Sequence, residues 1–370
     1  MMIDSMPHSD LESLYDCSLP PNSTEAEIAT ISVRHLLEQD NENSRRLFDA
    51  CRNEGVFLLD LTDHPEGMTF LSGMAETIRI AHHVFLSKTV EEKRGYGTRP
   101  RVGIMDKGYI AEEVSPQGEV KTHEVLNIPN YELFSPGAPP LDLPSWLAPH
   151  EDVFRGVARA GNWIANCIFA CLEKHLQLEP NTLTSAHRLE DPSSDFLRMV
   201  RHPGFGEREK AERISFHAHK DLSSMGILLA PCPGLQVQHP LEPGTFKWVR
   251  PKVGCVVVNI GEGLELLTNG VLKGVFHRVV RVPGRLTAVD RVSSLVVVRA
   301  KGDMPMVPLP SPLIPRLSRE QSERQAETSD GWAANKLKAL TALRAREGKA
   351  LPKELAFVYR EAGMPVPVGN

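Results

Sequence analysis

The chain has 370 residues, 41% hydrophobic and 24% charged, which is ordinary globular composition with ample apolar material for a core. Its 42 basic and 47 acidic residues leave a formal net charge of −5, and no basic stripe interleaved with aromatics occurs. That balance argues against a nucleic-acid partner, and the longest apolar runs, such as Val253 to Val258, fall far short of a membrane span.

The first residues carry Asp4, Asp10, Glu12 and Asp16 and lack the basic, apolar, small-residue series of a signal peptide. The six cysteines (Cys17, Cys51, Cys167, Cys171, Cys232, Cys255) form no C-x-x-C pair. A soluble, cytoplasmic protein of a reducing compartment is expected. Residues 1–28 are polar and broken by Pro20-Pro21, which predicts a flexible arm. Ile31 to Leu37 reads as an edge strand, Asn43 to Asn53 as a helix closed by Gly55, and Val56 to Asp60 as a buried strand.

A second helix is predicted from Gly67 to Ser87, with His82 and His83 on different faces and therefore unsuited to one site. A short helix with Glu91 and Glu92 in its first turn follows. Residues 94–150 are rich in glycine and proline and read as long loops with short strands, the kind that wall a binding site. Trp146 to Leu176 carries Val153, Val157, Ala160, Ile164, Ile168 and Leu172 at three- and four-residue spacing, a long core-facing helix. Cys167 and Cys171 stack on one face of it as small buried side chains, and His175 at its end is expected to cap the last carbonyls.

From Phe196 to Ala300 the texture changes to short β-rich runs between glycines and prolines, with no helix between them. This predicts an antiparallel double sheet or barrel. Met304 to Pro315 is proline-dense, and Arg319 to Arg346 favours helix, folded back on the domain rather than serving an oligomer or hanging loose. The expected division is an arm at 1–28, a domain at 29–303 with a helical part (29–195) and a β core (196–303), and an extension at 304–370.

The chemistry is concentrated in the β core. His219 and Asp221 are two apart, so a strand would point both to one face, and His277 lies far enough on for a distant strand to close over them. Two imidazoles and one carboxylate suit an iron(II) site with open positions, whereas structural zinc would fill every position and favour cysteine. His217 would share the face of His219, but Asp221 would then be four residues away. Arg291 and Ser293 share a face for the same period-two reason, and a guanidinium with a neighbouring hydroxyl grips a carboxylate. Alone, H-x-D or R-x-S means little. The ordered set in a β context carries the reading.

The segment resembles the isopenicillin N synthase-like branch of the iron(II)/2-oxoglutarate-dependent dioxygenases. The pieces are Gly234-Leu-Gln-Val237, Trp248-Val249, Pro251, Gly254, Val257-Val-Asn-Ile-Gly261, Asn269-Gly270 and His277-Arg-Val-Val280, with Leu47 to Phe57 and Glu91-Glu-Lys93 agreeing more loosely. Three features depart from the common pattern. The 14-residue step from His277 to Arg291 is long and resembles fungal secondary-metabolism members, His202 stands before Pro203 where tyrosine is usual, and Glu262 replaces an aspartate.

The resemblance implies an α+β fold, a distorted double-stranded β-helix (jelly roll) braced by helices, with a helical C-terminal extension. It implies His219, Asp221 and His277 as iron ligands, and Arg291 and Ser293, with His202 in place of the tyrosine, as contacts of 2-oxoglutarate. Oxygen would be the co-substrate, ascorbate a candidate reductant, and the substrate a small molecule, with polyketide-like and aromatic acids first in line. The expected outcome is hydroxylation, desaturation or ring rearrangement. An iron oxidase that does not use 2-oxoglutarate and a non-catalytic jelly-roll binding protein are the rival readings.

Overall fold

The computed structural model describes residues 11–38, 40–97, 107–111, 114–138, 141–204, 214–282, 284–317 and 327–344. Twelve strands are present among them: β1 (Thr30–Ser32), β2 (Val56–Asp60), β3 (Gly108–Ala111), β4 (Glu124–Pro129), β5 (Phe196–His202), β6 (Ile214–His219), β7 (Met225–Leu229), β8 (Leu235–Gln238), β9 (Phe246–Trp248), β10 (Cys255–Ile260), β11 (His277–Val280) and β12 (Arg291–Val298). Eight form a large sheet in the order β1-β2-β10-β7-β12-β5-β4-β3, and four form a small sheet in the order β6-β11-β8-β9. All pairings are antiparallel except β1 with β2.

Alternation decides which side of the large sheet each residue serves. On β12, Val292, Val296 and Val298 enter the main apolar core, and Ser294 accepts a hydrogen bond from Thr77 Oγ1 at 2.8 Å. That side is covered by the helices Pro65–Ser87 and Glu151–His175, where a Cβ on Gly161 would meet Val296 Cγ1 at 3.0 Å. Arg291, Ser293, Leu295 and Val297 therefore face the small sheet. Between the two sheets lies a second, smaller apolar cluster of Val56, Leu58, Leu235, Val237, Val249, Cys255, Val257 and Val275.

The helices form for local reasons. Asp40 caps Asn41–Asn53 by accepting from the Glu42 amide at 2.8 Å, and Thr89 with Glu92 makes a reciprocal capping box on Val90–Arg94. The long helix buries Phe154, Val157, Ile164, Ile168 and Leu172 as its spacing demands, with Glu151 and Asp152 in its first turn. Cys171 is buried and Cys167 half-buried on its face.

Several expectations are corrected. The helix begins at Glu151 after a 3₁₀ turn at Ala148–His150, not at Trp146. The strand expected from Ile31 to Leu37 stops at Ser32, whose hydroxyl accepts from the His35 amide and so starts a helix at Val33. His175 caps no carbonyl: it stacks on Phe48 at 5.2 Å and its Nε2 hydrogen-bonds Ser44 Oγ at 2.8 Å. The 94–150 stretch supplies β3 and β4, the outermost strands of the large sheet, although 98–106, 112–113 and 139–140 lie outside the described residues. The sheet also crosses position 196, since β1 to β4 precede it, and a helix at Glu262–Leu267 interrupts the later strands.

In the extension, Met304, Met306, Leu309 and Ile314 are buried in the main core. The helix Ser329–Arg344 follows, with Ala333 buried, Trp332 against the core, and Lys336 paired to Glu262. Residues 318–326 and 345–370 lie outside the described residues, as do residues 1–10 of the expected arm.

Candidate metal centre

Strands β6 and β11 are neighbours in the small sheet, and their register sets His277 directly opposite His219. Asp221 follows β6 two residues later. Their ligand-capable atoms all lie within 4.8 Å of one another. Asp221 Oδ1 is 3.4 Å from His219 Nε2 and 3.8 Å from His277 Nε2.

The backbone fixes how these groups point. His219 Nδ1 donates to the His217 carbonyl at 2.9 Å, and His277 Nδ1 donates to the Val275 carbonyl at 3.3 Å. A carbonyl only accepts, so each Nδ1 carries a hydrogen and each Nε2 is turned toward Asp221. Asn259 on β10 donates to the other aspartate oxygen, Oδ2, at 2.9 Å, which leaves Oδ1 facing the histidines.

The electrostatics agree with a cation-ready cluster. Burial, reinforced by the neighbouring His219, pushes His277 down to about 4, so its imidazole is neutral at physiological pH. Burial pulls Asp221 upward, yet the His277 and His219 rings and the Asn259 amide together hold its carboxyl well below the usual carboxylate range. One carboxylate oxygen and two imidazole nitrogens converge on one point.

His217 does not share this face. Three residues of β11, His277 to Val279, oppose four of β6, Phe216 to His219. The bulge restores Phe216, not His217, to the interior, where its ring meets His219 at 4.7 Å and His123 at 4.9 Å. His217 is exposed. His82 and His83 are likewise exposed, and His239 is half-buried in the β8–β9 turn beside Glu242. Glu262 opens the short helix behind the centre, and its amide donates to the Asp221 carbonyl at 2.8 Å.

Arg291 and Ser293 stand side by side on β12, with Arg291 Nη1 donating to Ser293 Oγ at 3.4 Å and Nε to the Pro233 carbonyl at 3.0 Å. A Cβ at Gly234, whose φ is +137°, would lie 2.8 Å from the Arg291 Nε, so glycine there makes room for the guanidinium. Burial lowers Arg291 to about 10, which leaves it charged, and among the described residues no carboxylate lies within 4 Å of it. His202 on β5 is its partner in the ladder. Burial and the charge of Arg291 push His202 well below the usual histidine range, and its Nδ1 is buried with no hydrogen-bond partner. The long turn ahead of Arg291 contains a 3₁₀ turn at Arg285–Ala288 and is tied down by Asp290, which accepts from Arg201 Nε and the Gly204 amide, each at 2.7 Å.

Sequence reasoning missed Asn259, Phe216 and two arginines, the half-buried Arg198 and the buried Arg299. Asn259 was within reach, being the only polar side chain in the apolar run Val256 to Ile260. A strand that buries a lone amide must be using it.

A family model described as the 2OG-Fe(II) oxygenase superfamily matches residues 194–297. A 2-oxoglutarate-dependent dioxygenase of Aspergillus fumigatus is 38% identical over 345 residues, covering 89% of this chain and 90% of that one. Another from Gibberella zeae is 26% identical over 74% of this chain and 80% of its own length. Among solved structures, a full-length Neurospora crassa protein in complex with alpha-KG and 5-formyluracil superposes with a TM-score of 0.68 at 18% identity, over 86% of this chain and all of that one (100%). The double-stranded β-helix is thereby the shared fold, and no described helix is long and apolar enough to cross a membrane. With the Aspergillus relative matched along nine-tenths of both chains, the protein belongs to the 2OG-Fe(II) oxygenases and is an enzyme that uses iron(II), 2-oxoglutarate and oxygen to oxidise a small molecule.

Proposed function

We propose that His219, Asp221 and His277 hold the iron, and that Arg291, Ser293 and His202 receive the far carboxylate of 2-oxoglutarate. The observation that carries this is the pairing of two incomplete groups. Three electron-pair donors converge where, among the described residues, no lysine or arginine pairs with Asp221, and a buried guanidinium stands nearby with no carboxylate beside it. A buried Arg291 and an orphaned His202 Nδ1 are both costly unless a ligand completes them, which is the fit expected of a dicarboxylic acid.

Bound iron with 2-oxoglutarate and oxygen supplies the oxidant, leaving succinate and carbon dioxide. The protein supplies placement. The Nε2 atoms of His219 and His277 would donate lone pairs to the metal and Asp221 would offset part of its charge, while Asn259 holds one carboxylate oxygen and leaves the other facing the histidines. Arg291 sets the co-substrate's direction by pairing its distal end. Phe216 packs on His219 and keeps water from that side.

The substrate class that fits is a small aromatic or polyketide-like acid of fungal secondary metabolism, which the similarity to fungal dioxygenases and the long His277–Arg291 turn support. The test is oxygen-dependent succinate formation by purified, iron-loaded protein while such acids are screened. Substrate oxidation without succinate would replace this reading with a 2-oxoglutarate-independent oxidase.

A further inference from the structure

The space between the sheets holds two guanidiniums beyond Arg291. On β5, Leu197 and Met199 pack into the helix-covered core, so Arg198 faces inward with Val200 and His202. Its Nε donates to Asn127 Oδ1 of β4 at 2.8 Å. Arg299 follows the end of β12 and is 7% exposed, and its Nε and Nη1 are buried with no hydrogen-bond partner. The Phe196 ring lies under both, 4.6 Å from Arg198 Cζ and 5.8 Å from Arg299 Cζ.

Neither arginine has a carboxylate within 4 Å among the described residues. Asp195 and Asp330, the nearby acids, are engaged elsewhere: Asp195 Oδ1 accepts from the Arg299 backbone amide at 2.5 Å, and Asp330 Oδ1 accepts from Ser194 Oγ at 3.0 Å. Asp195 acts most strongly on Arg299, followed by Asp221 and Asp330, and Asp221 also acts on Arg198, which puts both guanidiniums in range of the metal centre. Burial lowers each to about 10, so each remains a cation.

Charge balance then becomes decisive. Iron(II), Asp221, dianionic 2-oxoglutarate and Arg291 are neutral as a set, and Asp195 and Asp330 act on Arg299 alone, so the pair keeps an excess of positive charge centred on Arg198. A guanidinium with idle buried donors, such as Arg299, is sustained when a bound anion completes it, and the half-buried Arg198 lies over the same Phe196 ring. We infer that Arg198 and Arg299 bind a carboxylate of the molecule that is oxidised, fixing its orientation to the metal. The inference rests on the iron and co-substrate assignment above and adds the requirement that the substrate be an anion.

The experiment uses protein loaded with iron(II) and 2-oxoglutarate under argon, with benzoate, cinnamate and hexanoate as probes, each against its neutral amide. Calorimetry should find at least one acid bound at least about 10-fold more tightly than its amide, as a charge-assisted contact predicts. Arg198→Gln and Arg299→Gln should each erase that preference while iron content and 2-oxoglutarate affinity stay unchanged. Arg198→Lys, which keeps the charge, should retain part of it and serves if a glutamine variant loses its thermal transition. No acid preference in the parent, or a preference surviving both glutamine substitutions, overturns the inference. Failure of the parent to bind iron or 2-oxoglutarate would instead strike the reading beneath it, and the same acid–amide comparison on metal-free protein would still decide the anion site.

Discussion

The space between the two sheets is lined by one alternation rule and yet ends in two different ways. Toward β2, β8 and β10 it is closed by Leu58, Val237, Val257, Val249 and Val275, an apolar cluster whose one thiol, Cys255, is pushed up by burial and stays neutral. Toward β5, β6, β11 and β12 the same inward positions carry His202, Arg198, His219, His277, Arg291 and Ser293. The apolar end gains free energy by excluding water, whereas the polar end gathers groups whose burial is costly until ligands complete them. Stability and function are thus separated by only a few strands, and β10 takes part in both, with Val257 in the apolar cluster and Asn259 on Asp221.

That separation is tested first where the expected effect is largest. Asp221→Ala should lower turnover by more than about 1,000-fold, since it would remove the only anionic protein ligand of the proposed iron site, and leave the thermal transition of the metal-free protein in place. Leu58→Ala should do the reverse, costing about 3 kcal/mol in denaturant unfolding while KM for 2-oxoglutarate stays at the parent value. If Leu58→Ala impairs co-substrate binding as severely as stability, the two ends are one cooperative unit and the comparison fails.

Much of the polar end was legible in the sequence because its chemistry is confined to a few residue types. The spacing of His219 and Asp221, the later His277, and the Arg291–Ser293 pair each name a strand face directly. What stayed hidden depends on partners remote in the chain. The bulge that turns His217 outward exists only in the pairing of β6 with β11. That Arg198 and Arg299 have no carboxylate within 4 Å among the described residues depends on where Asp195, Asp330 and Asn127 point, which the order of residues does not reveal. The short strands expected among the loops of 94–150 could not be placed for a different reason: β4 is set by its pairing with β5, and β3 by its pairing with β4.

Within the polar end, Arg291→Leu separates co-substrate binding from metal binding. Loss of a charge-assisted carboxylate contact should weaken 2-oxoglutarate by roughly 100-fold, read by titration, with iron content unchanged. A variant that keeps the parent's 2-oxoglutarate dependence would remove Arg291 from the site.

The smallest effect probes the far side of the large sheet, where packing is not wholly apolar. His187 is buried against Phe169, its ring nitrogens bonded to the Leu183 carbonyl at 2.6 Å and Ser224 Oγ at 2.7 Å, just behind the turn that bears Asp221. Burial pushes it down to about 4, partly opposed by the Leu183 carbonyl. A histidine whose folded pKa is depressed takes up its proton more readily when unfolded. Its contribution is therefore present above the ordinary histidine value and declines as pH falls toward 4, with the unfolded chain binding the extra proton. Between pH 7.5 and pH 5 the loss should be about 2 kcal/mol, seen in denaturant unfolding of the metal-free protein. His187→Gln should flatten that part of the profile. An unchanged slope in the variant would mean that His187 stays neutral at no cost, and that the acid sensitivity of the fold arises at the polar end instead.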